Sequence, residues 1–243
     1  MDLKKEAARL AYTLVENHGS IGLGDGTAVR HLASCIIGGM RNGLQVSLYT
    51  SSYQTEKFLQ ESGIVPNDIA DTDHLDQYFD GCDQVDKQLN ALKSGAGIHT
   101  REKLLASMAR QFILLGDETK FVQEFGPQFP LVLEILPGAE KFVTTKILSL
   151  FPGALMSIRK SPENENILLC TRNGNYLIDC WFSQWPDPAF VQQQSHQIAG
   201  VVEISLFYKM VDEAIIAGEK GIFRYQRRQD LVRMISQGPL PFA

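Results

Sequence analysis

The sequence predicts an α/β fold: a parallel sheet with helices on both faces, joined to a smaller inserted α+β domain. Three observations carry this. Helical and strand-like runs alternate through the first half, glycine-rich turns follow early strands, and the composition changes at Phe125-Gly126-Pro127-Gln128-Phe129-Pro130. With 243 residues the chain exceeds the usual single-domain size, so a large domain carrying a smaller one is the natural expectation. Residues 1–126 and 200–243 are assigned to the larger unit and 127–199 to the smaller.

The elements follow in order. Leu3, Ala7, Leu10, Ala11, Leu14 and Val15 recur at helical spacing, with a cap at Asn17-His18-Gly19. Ser20-Ile21-Gly22-Leu23-Gly24-Asp25-Gly26-Thr27 reads as a strand breaking into a glycine-rich turn, and Val29, Leu32 and Ile36 mark the next helix. Further alternation places strands at 44–49, 77–79 and 112–115 and helices at 55–62 and 100–110. In such sheets ligands bind where loops leave the carboxyl ends of the strands. Beyond the compositional break, 132–136 reads as strand and 141–150 as helix. Runs at 167–171 and 176–181 flank Arg172-Asn173-Gly174-Asn175, a strong hairpin signal. A helix at 188–199 precedes the apolar run 201–207, which is expected to return to the main sheet.

Composition excludes several classes. A net charge of -5 disfavours nucleic-acid binding, which needs clustered Lys and Arg. No apolar run approaches the roughly 18 to 20 residues of a membrane span, and the first residues lead into a helical pattern, so no membrane and a cytoplasmic location are expected. Cys35, Cys82, Cys170 and Cys180 show neither metal-ligand nor disulfide spacing and read as reduced thiols. Metal ligation is not expected at His31 or His196. His99 is the histidine best placed to line a site. Trp181, Phe182 and Trp185 read as domain packing or a subunit interface.

The densest constellation is Asp80-Gly81-Cys82-Asp83, Lys93-Ser94-Gly95-Ala96-Gly97 and Thr100-Arg101-Glu102-Lys103. The two aspartates follow the apolar pair Tyr78-Phe79 at a strand end, and the loop after Lys93 has the glycine content to present backbone amides to an anion. This set suits aldose-ketose interconversion, in which a base moves a proton between carbons while donors hold the enediolate, with no redox cofactor. The same residues also suit a solvated surface turn, with Glu102 merely favouring a helix start. The turn at Gly22, Gly24 and Gly26 lacks the third glycine and the later acidic residue of a dinucleotide loop. It fits a sugar or phosphate loop, or a tight turn that needs glycine for positive φ.

These motifs, jointly and in order, resemble the type A ribose-5-phosphate isomerases. Residues 19–27 resemble a phosphate-side loop and Tyr78 to Asp83 a YVDGADE segment. Lys93 to Lys103 is similar to KGGGAALTREK, Asp117 to Lys120 to DxSK, and Phe129 to Glu134 to FPLPVE; Thr171 to Asn175 and Gly200-Val201-Val202 continue the register. The resemblance implies a Rossmann-like domain with an inserted α+β (ferredoxin-like) domain, a homodimer or homotetramer, no cofactor and no metal. It implies conversion of ribose 5-phosphate to ribulose 5-phosphate, with a sugar phosphate as the small-molecule partner. Glu102 matches the proton acceptor; Asp80, Asp83 and Lys93 match residues that handle sugar hydroxyls, ring opening and the carbonyl oxygen. Lys120 matches a substrate-binding lysine and Lys4 an N-terminal lysine near the phosphate. The corresponding substrate loops contribute Asp25, Gly26, Thr27, Ala28, Gly81, Cys82, Ser94, Gly95 and Ala96.

The departures lie in recognition. Asp25-Gly26-Thr27-Ala28 stands where the family has Thr-Gly-Ser-Thr, Ser94 replaces a loop glycine, and Gln84 replaces an acidic residue. The alternatives are therefore a divergent homologue for another sugar phosphate, a non-catalytic sugar-phosphate sensor, or a transferase of similar fold with a glutamate nucleophile. The extension from Ile222 through Arg224, Arg227, Arg228 and Arg233 has no assigned role.

Overall fold

The computed structural model describes residues 2–228 and 231–237. Asp2 caps helix α1 (Leu3–Tyr12) by accepting from the Lys5 amide, and Ala7, Leu10 and Ala11 form its buried stripe. The helix stops before the expected Val15. The Thr13 hydroxyl donates to the Leu10 carbonyl at 2.7 Å, a local bond that competes with continued helix. Strand β1 (Ser20–Leu23) enters helix α2 (Thr27–Arg41), and strand β2 (Ser47–Thr50) enters helix α3 (Tyr53–Glu61), which Ser52 caps. Strand β3 (Leu75–Asp80) is followed by the short strands β4 (Gln84–Asp86) and β5 (Ala91–Leu92) and by helix α4 (His99–Met108). Helix α4 runs straight into β6 (Ala109–Asp117), and β7 (Phe121–Val122) follows.

Strands β2, β1, β3 and β6 are parallel neighbours. Side chains alternate across the sheet: Ile113 and Leu115 of β6 join the core beneath α1 and α2, whereas Phe112 and Leu114 join the core beneath Leu105 and Ala106 of α4. Both faces are covered, which explains why these strands read as continuous apolar runs. All the parallel strands end at one edge, and there the loops after β1, β3 and β6 converge.

The second half builds β8 (Leu131–Ile135), α5 (Glu140–Leu150), β9 (Leu155–Ile158), β10 (Lys160–Ser161), β11 (Asn164–Leu168), β12 (Tyr176–Trp181), α6 (Pro188–His196) and β13 (Val201–Ile204). Its antiparallel sheet has the order β13-β8-β12-β9, the ferredoxin-like arrangement of a βαββαβ chain. The expected pairing of 167–171 with 176–181 survives only as a bridge between Cys170 and Tyr176 around the Asn-Gly turn. Ile178 and Cys180 pack into the second core, so β12 takes β8 and β9 as neighbours, while Ile167 stays 57% exposed. Phe182 and Trp185 pack with Phe125 and Phe151 at ring separations of 5.1 to 5.3 Å, and Trp181 stays partly exposed.

The run 201–207 does not return to the main sheet as expected. β13 pairs with β8, and β14 (Leu206–Phe207) pairs with β5; apolar periodicity marks a strand without choosing its sheet. The return is made by β15 (Glu213–Gly218), parallel to β6. The C-terminal extension then forms β16 (Gly221–Arg228) and β17 (Leu231–Gln237), two antiparallel strands completing the order β17-β16-β15-β6-β3-β1-β2. Arg224 grips the fully buried Glu213 carboxylate through Nε at 2.5 Å and Nη2 at 2.8 Å, and Gln226 adds a third donor at 2.7 Å. Arg224→Met strands that carboxylate in the core and is expected to cost about 3 kcal/mol, read as a lower urea midpoint at unchanged slope. Adding Glu213→Gln recovers most of the loss.

Candidate active site

A cavity of about 280 Å³ opens at the carboxyl edge of the parallel sheet. Lys4, Asp25, Gly26, Thr27, Ala28, Gly81, Cys82, Asp83, Lys93, Gly95, Ala96, Glu102 and Lys120 line it, together with Leu115, Gly116 and Asp117. The last three are not expected from sequence as site residues, although Leu115 lies in an expected strand and Asp117 opens the segment that resembles DxSK. Their signal is the end of an apolar strand, Phe112 to Leu115, followed by Gly116-Asp117, where a parallel sheet places ligands.

Asp80 and Ser94 lie outside the lining. Asp80 is fully buried beneath it and serves as an anchor: its Oδ1 accepts from the Asp25 and Gly81 amides at 3.0 and 2.7 Å, its Oδ2 from the Tyr78 hydroxyl at 2.6 Å. The Lys93 ammonium completes the set at 2.9 Å from Oδ2. Ser94 is also buried. Its hydroxyl donates to the Pro130 carbonyl, and its amide, like that of Gly95, donates to Asp83. Asp83 thus holds the 94–95 loop, and Arg159 grips its other side through the carbonyls of Ser94 and Gly95.

The positive φ expected in the glycine turn holds at one of its three glycines, and close packing accounts for the other two. Only Gly26 has positive φ, at 109°; a Cβ on Gly24 would sit 2.0 Å from Asp80 Cγ, and one on Gly22 would sit 2.7 Å from the Tyr78 ring. Gly24 is therefore glycine because the buried carboxylate needs its space.

Lys93 is the electrostatic hub. Its amide donates to the Ser205 carbonyl, and its Nζ donates to Gly81 O at 2.5 Å and lies 3.3 Å from Glu102 Oε1. Its three donors are all engaged. Burial works against its charge, but Asp80 and Glu102 outweigh that and raise its pKa. Glu102 sits in the first turn of α4, where the helix dipole favours a carboxylate. Burial nevertheless pushes its pKa up to about 8; Lys93 opposes the rise, while Asp80 and Asp25 add to it. The start of α4 is fixed by Glu134, a buried carboxylate accepting from Thr100, Thr171, Asn173 and Asn175. Burial tends to raise its pKa, yet these donors leave it lowered.

Other expected groups have structural places. His99 does not line the cavity; it is fully buried, its Nε2 is 3.4 Å from Glu203 O, and burial pushes its pKa down to about 4. Cys82 does line the cavity, but burial pushes its thiol up to about 12, so it is no ready nucleophile. The four cysteines are free. Among the described residues no group of three or more His, Cys, Asp or Glu is arranged to hold a metal ion, and no helix is long and apolar enough to cross a membrane.

Along most of its length the chain is similar to known proteins. A family model described as ribose 5-phosphate isomerase A (phosphoriboisomerase A) matches residues 47–221. Ribose-5-phosphate isomerase A of Methanothermobacter thermautotrophicus is 35% identical over 223 residues, covering 91% of this chain and 96% of that protein. The chain belongs to the ribose 5-phosphate isomerase A family. Another member, from Nitrobacter hamburgensis, is 33% identical over 230 residues, 93% of this chain and 98% of that one. The solved ribose 5-phosphate isomerase A from Methanocaldococcus jannaschii superposes with a TM-score of 0.83 at 28% identity, covering 97% of this chain and 99% of the other. A D-ribose-5-phosphate isomerase solved in complex with phospho-erythronic acid gives 0.86 at 28% identity, covering 93% and 98%. As a member the chain is an isomerase, an intramolecular oxidoreductase.

Gly24→Ala tests the anchor. The methyl must displace Asp80 and with it Lys93, so turnover is expected to fall at least tenfold, with a stability loss of about 1 to 3 kcal/mol in chemical denaturation. Wild-type turnover in that variant rejects the anchoring role.

Proposed function

We propose that the protein interconverts ribose 5-phosphate and ribulose 5-phosphate through an enediolate, with Glu102 as the base. The supporting observation is the Glu102 carboxylate itself, facing the cavity, desolvated and 3.3 Å from the Lys93 ammonium. Glu102 takes the proton from C2 of the open-chain aldose, and the electron pair moves to the carbonyl oxygen. The hydroxyl proton passes from O2 to O1, and Glu102 returns its proton to C1. One base supplies on the order of 10² to 10⁴ in rate, so the oxyanion donors carry much of the rest.

Lys93 is the assigned oxyanion donor, aided by the loop amide of Ala96, since those of Ser94 and Gly95 donate to Asp83. Because its three donors are occupied, the substrate oxygen takes the one now aimed at Glu102. Losing that donor makes Glu102 a stronger base, so substrate binding and base activation are one event. Asp80 is assigned as the positioning residue for Lys93, and Asp83, on the cavity wall, to the sugar hydroxyls. The phosphate is assigned to the start of α2, where Thr27 and Ala28 bring uncapped amides and Lys4 and Lys120 bring charge. The complex of the family member with phospho-erythronic acid supports a sugar-phosphate ligand. The resemblance extends the proposal to a cytoplasmic homodimer or homotetramer. It also extends it to a division into 1–126 with 200–243 and 127–199, with β13 joining the two.

A direct assay of ribose 5-phosphate conversion tests the assignment. Turnover unaffected by chelator and reduced at least 10³-fold in Glu102→Gln is expected; saturable binding without turnover makes the protein a sensor instead. The pH profile tests the base. Burial raises the Glu102 pKa, so the base is protonated below that value, and kcat/KM is expected to climb as pH rises through about 8. Lys93→Met removes the opposing cation and is expected to move the limb further alkaline as well as lowering kcat. A limb near 4.5 in the wild type overturns the raised pKa of Glu102, and the loss of turnover in Glu102→Gln then tests the base itself.

A further inference from the structure

The cavity assigned to an anion is lined by four acids, Asp25, Asp83, Asp117 and Glu102, the last protonated below about pH 8, against three ammoniums, Lys4, Lys93 and Lys120. The cations are partly spent on the protein. Lys93 serves Asp80 and Glu102, Lys4 lies 3.8 Å from Asp117 Oδ2, and Lys120 rests over the Phe129 ring at 5.6 Å. Asp25 stands one residue before the glycine that caps α2, at the end holding the free amides. Its Oδ1 accepts from the Ser52 hydroxyl at 3.0 Å, and that hydroxyl also caps α3, so the carboxylate is held rather than free to swing out. Its backbone amide is fixed by Asp80. Among the described residues no cation lies within ion-pair distance of it.

We propose that Asp25 is a specificity-determining residue that sets the charge this cavity accepts at the start of α2, penalising a phosphate dianion relative to a monoanion or an uncharged hydroxyl. The inference rests on the assignment of the phosphate to that helix start. Two like charges about 4 Å apart in water differ from a charge and a neutral group by about fivefold in affinity, and by more where water is excluded. A phosphate monoester passes from monoanion to dianion near pH 6, so the penalty grows across that pH. The ionisable groups sharing the cavity are Glu102 from α4, Lys93 after β5, Asp83 after β3, Lys4 from α1, and Asp117 and Lys120 at the end of β6. Asp25 also contributes to holding Glu102 protonated, so one side chain acts on both binding and base.

The test is calorimetric binding of inorganic phosphate at pH 5.5 and pH 8 to the full chain and to Asp25→Asn, which keeps an acceptor for Ser52. Asp25→Thr is the second variant, and thermal melts of both report folding. The variants are expected to bind at least fivefold tighter at pH 8, with a clearly smaller gain at pH 5.5. The ratio of kcat/KM for ribose 5-phosphate to that for ribose is expected to rise by a similar factor, a ratio in which changes at the shared base cancel. Unchanged or weaker phosphate affinity at pH 8, or an equal gain at both pH values, overturns the proposal. Because phosphate binding needs no turnover, this failure is separate from that of the isomerase assignment, which falls only if the wild type converts no ribose 5-phosphate.

Discussion

The buried contact between Lys93 and the pair Asp80 and Glu102 is the interaction on which the rest of the site depends. Burying an ammonium costs several kcal/mol unless its donors are all met, and here they go to two carboxylates and the Gly81 carbonyl. The two acids are treated differently. Asp80 accepts from two amides, a tyrosine hydroxyl and the ammonium, so its charge is fully solvated by protein. Glu102 has Lys93 alone beside it, and burial leaves it reluctant to ionise. One cation between two carboxylates is matched when only one acid is charged, so the unbalanced proton settles on the acid with fewer donors. An acid–base group thus arises from unequal hydrogen bonding within one cluster.

The second sheet gives this cluster its geometry. Arg159, paired with Asp179 on that sheet, donates to both carbonyls of the Ser94-Gly95 loop. A Cβ on Gly97 would sit 2.3 Å from Leu177 Cδ1, so the loop presses against β12. Glu134 at the centre of β8 receives Thr100 from α4 and three donors from the Asn-Gly turn. Lys103, one residue after Glu102, buries its ammonium against Glu203, Ile204 O and Leu206 O. The loop and the helix that flank the cavity are therefore clamped from behind by charged groups outside its lining.

Much of this was legible in the sequence for identifiable reasons. Asp80, Asp83, Lys93 and Glu102 stood out as charges clustered with glycines near a strand end, and the family resemblance supplied their roles. Parallel strands were legible as apolar runs between helices. What periodicity omits is partnership. Val201 to Phe207 is correctly extended chain, yet Ser205 sits between β13 and β14, bonding Val132 and Lys93 backbone groups, and splits the run between two sheets. Tyr176 to Trp181 lost its expected partner because the fully buried β8 takes one of its edges and β9 the other. The extension from Ile222 carried arginines without visible purpose, because the partner of Arg224 is a glutamate in a strand whose apolar neighbours conceal it. His99 looked functional from its position alone, whereas its place behind α4 is set by a helical face that sequence does not orient against the cavity.

The roles of Asp80 and Asp83 show how far a motif can be divided by geometry. They stand three residues apart, on either side of the turn that ends β3. Asp80, the last residue of the strand, points into the core and is enclosed; Asp83, past the turn, reaches the cavity wall and holds amides of the facing loop. Gly24 leaves the room the first requires, and Ser94 and Gly95 supply the donors the second requires. Exchanging either acid for its amide changes a different thing: at Asp80 the charge that retains Lys93, at Asp83 the acceptor that holds the Ser94 and Gly95 amides. Because Asp80, Lys93 and Glu102 lie within 3.3 Å of one another along the chain of contacts, their substitutions share one interaction energy and cannot be summed. Asp83 acts through its own bonds to the Ser94 and Gly95 amides, and because Ser94 follows Lys93 the two devices meet there as well as at the turn.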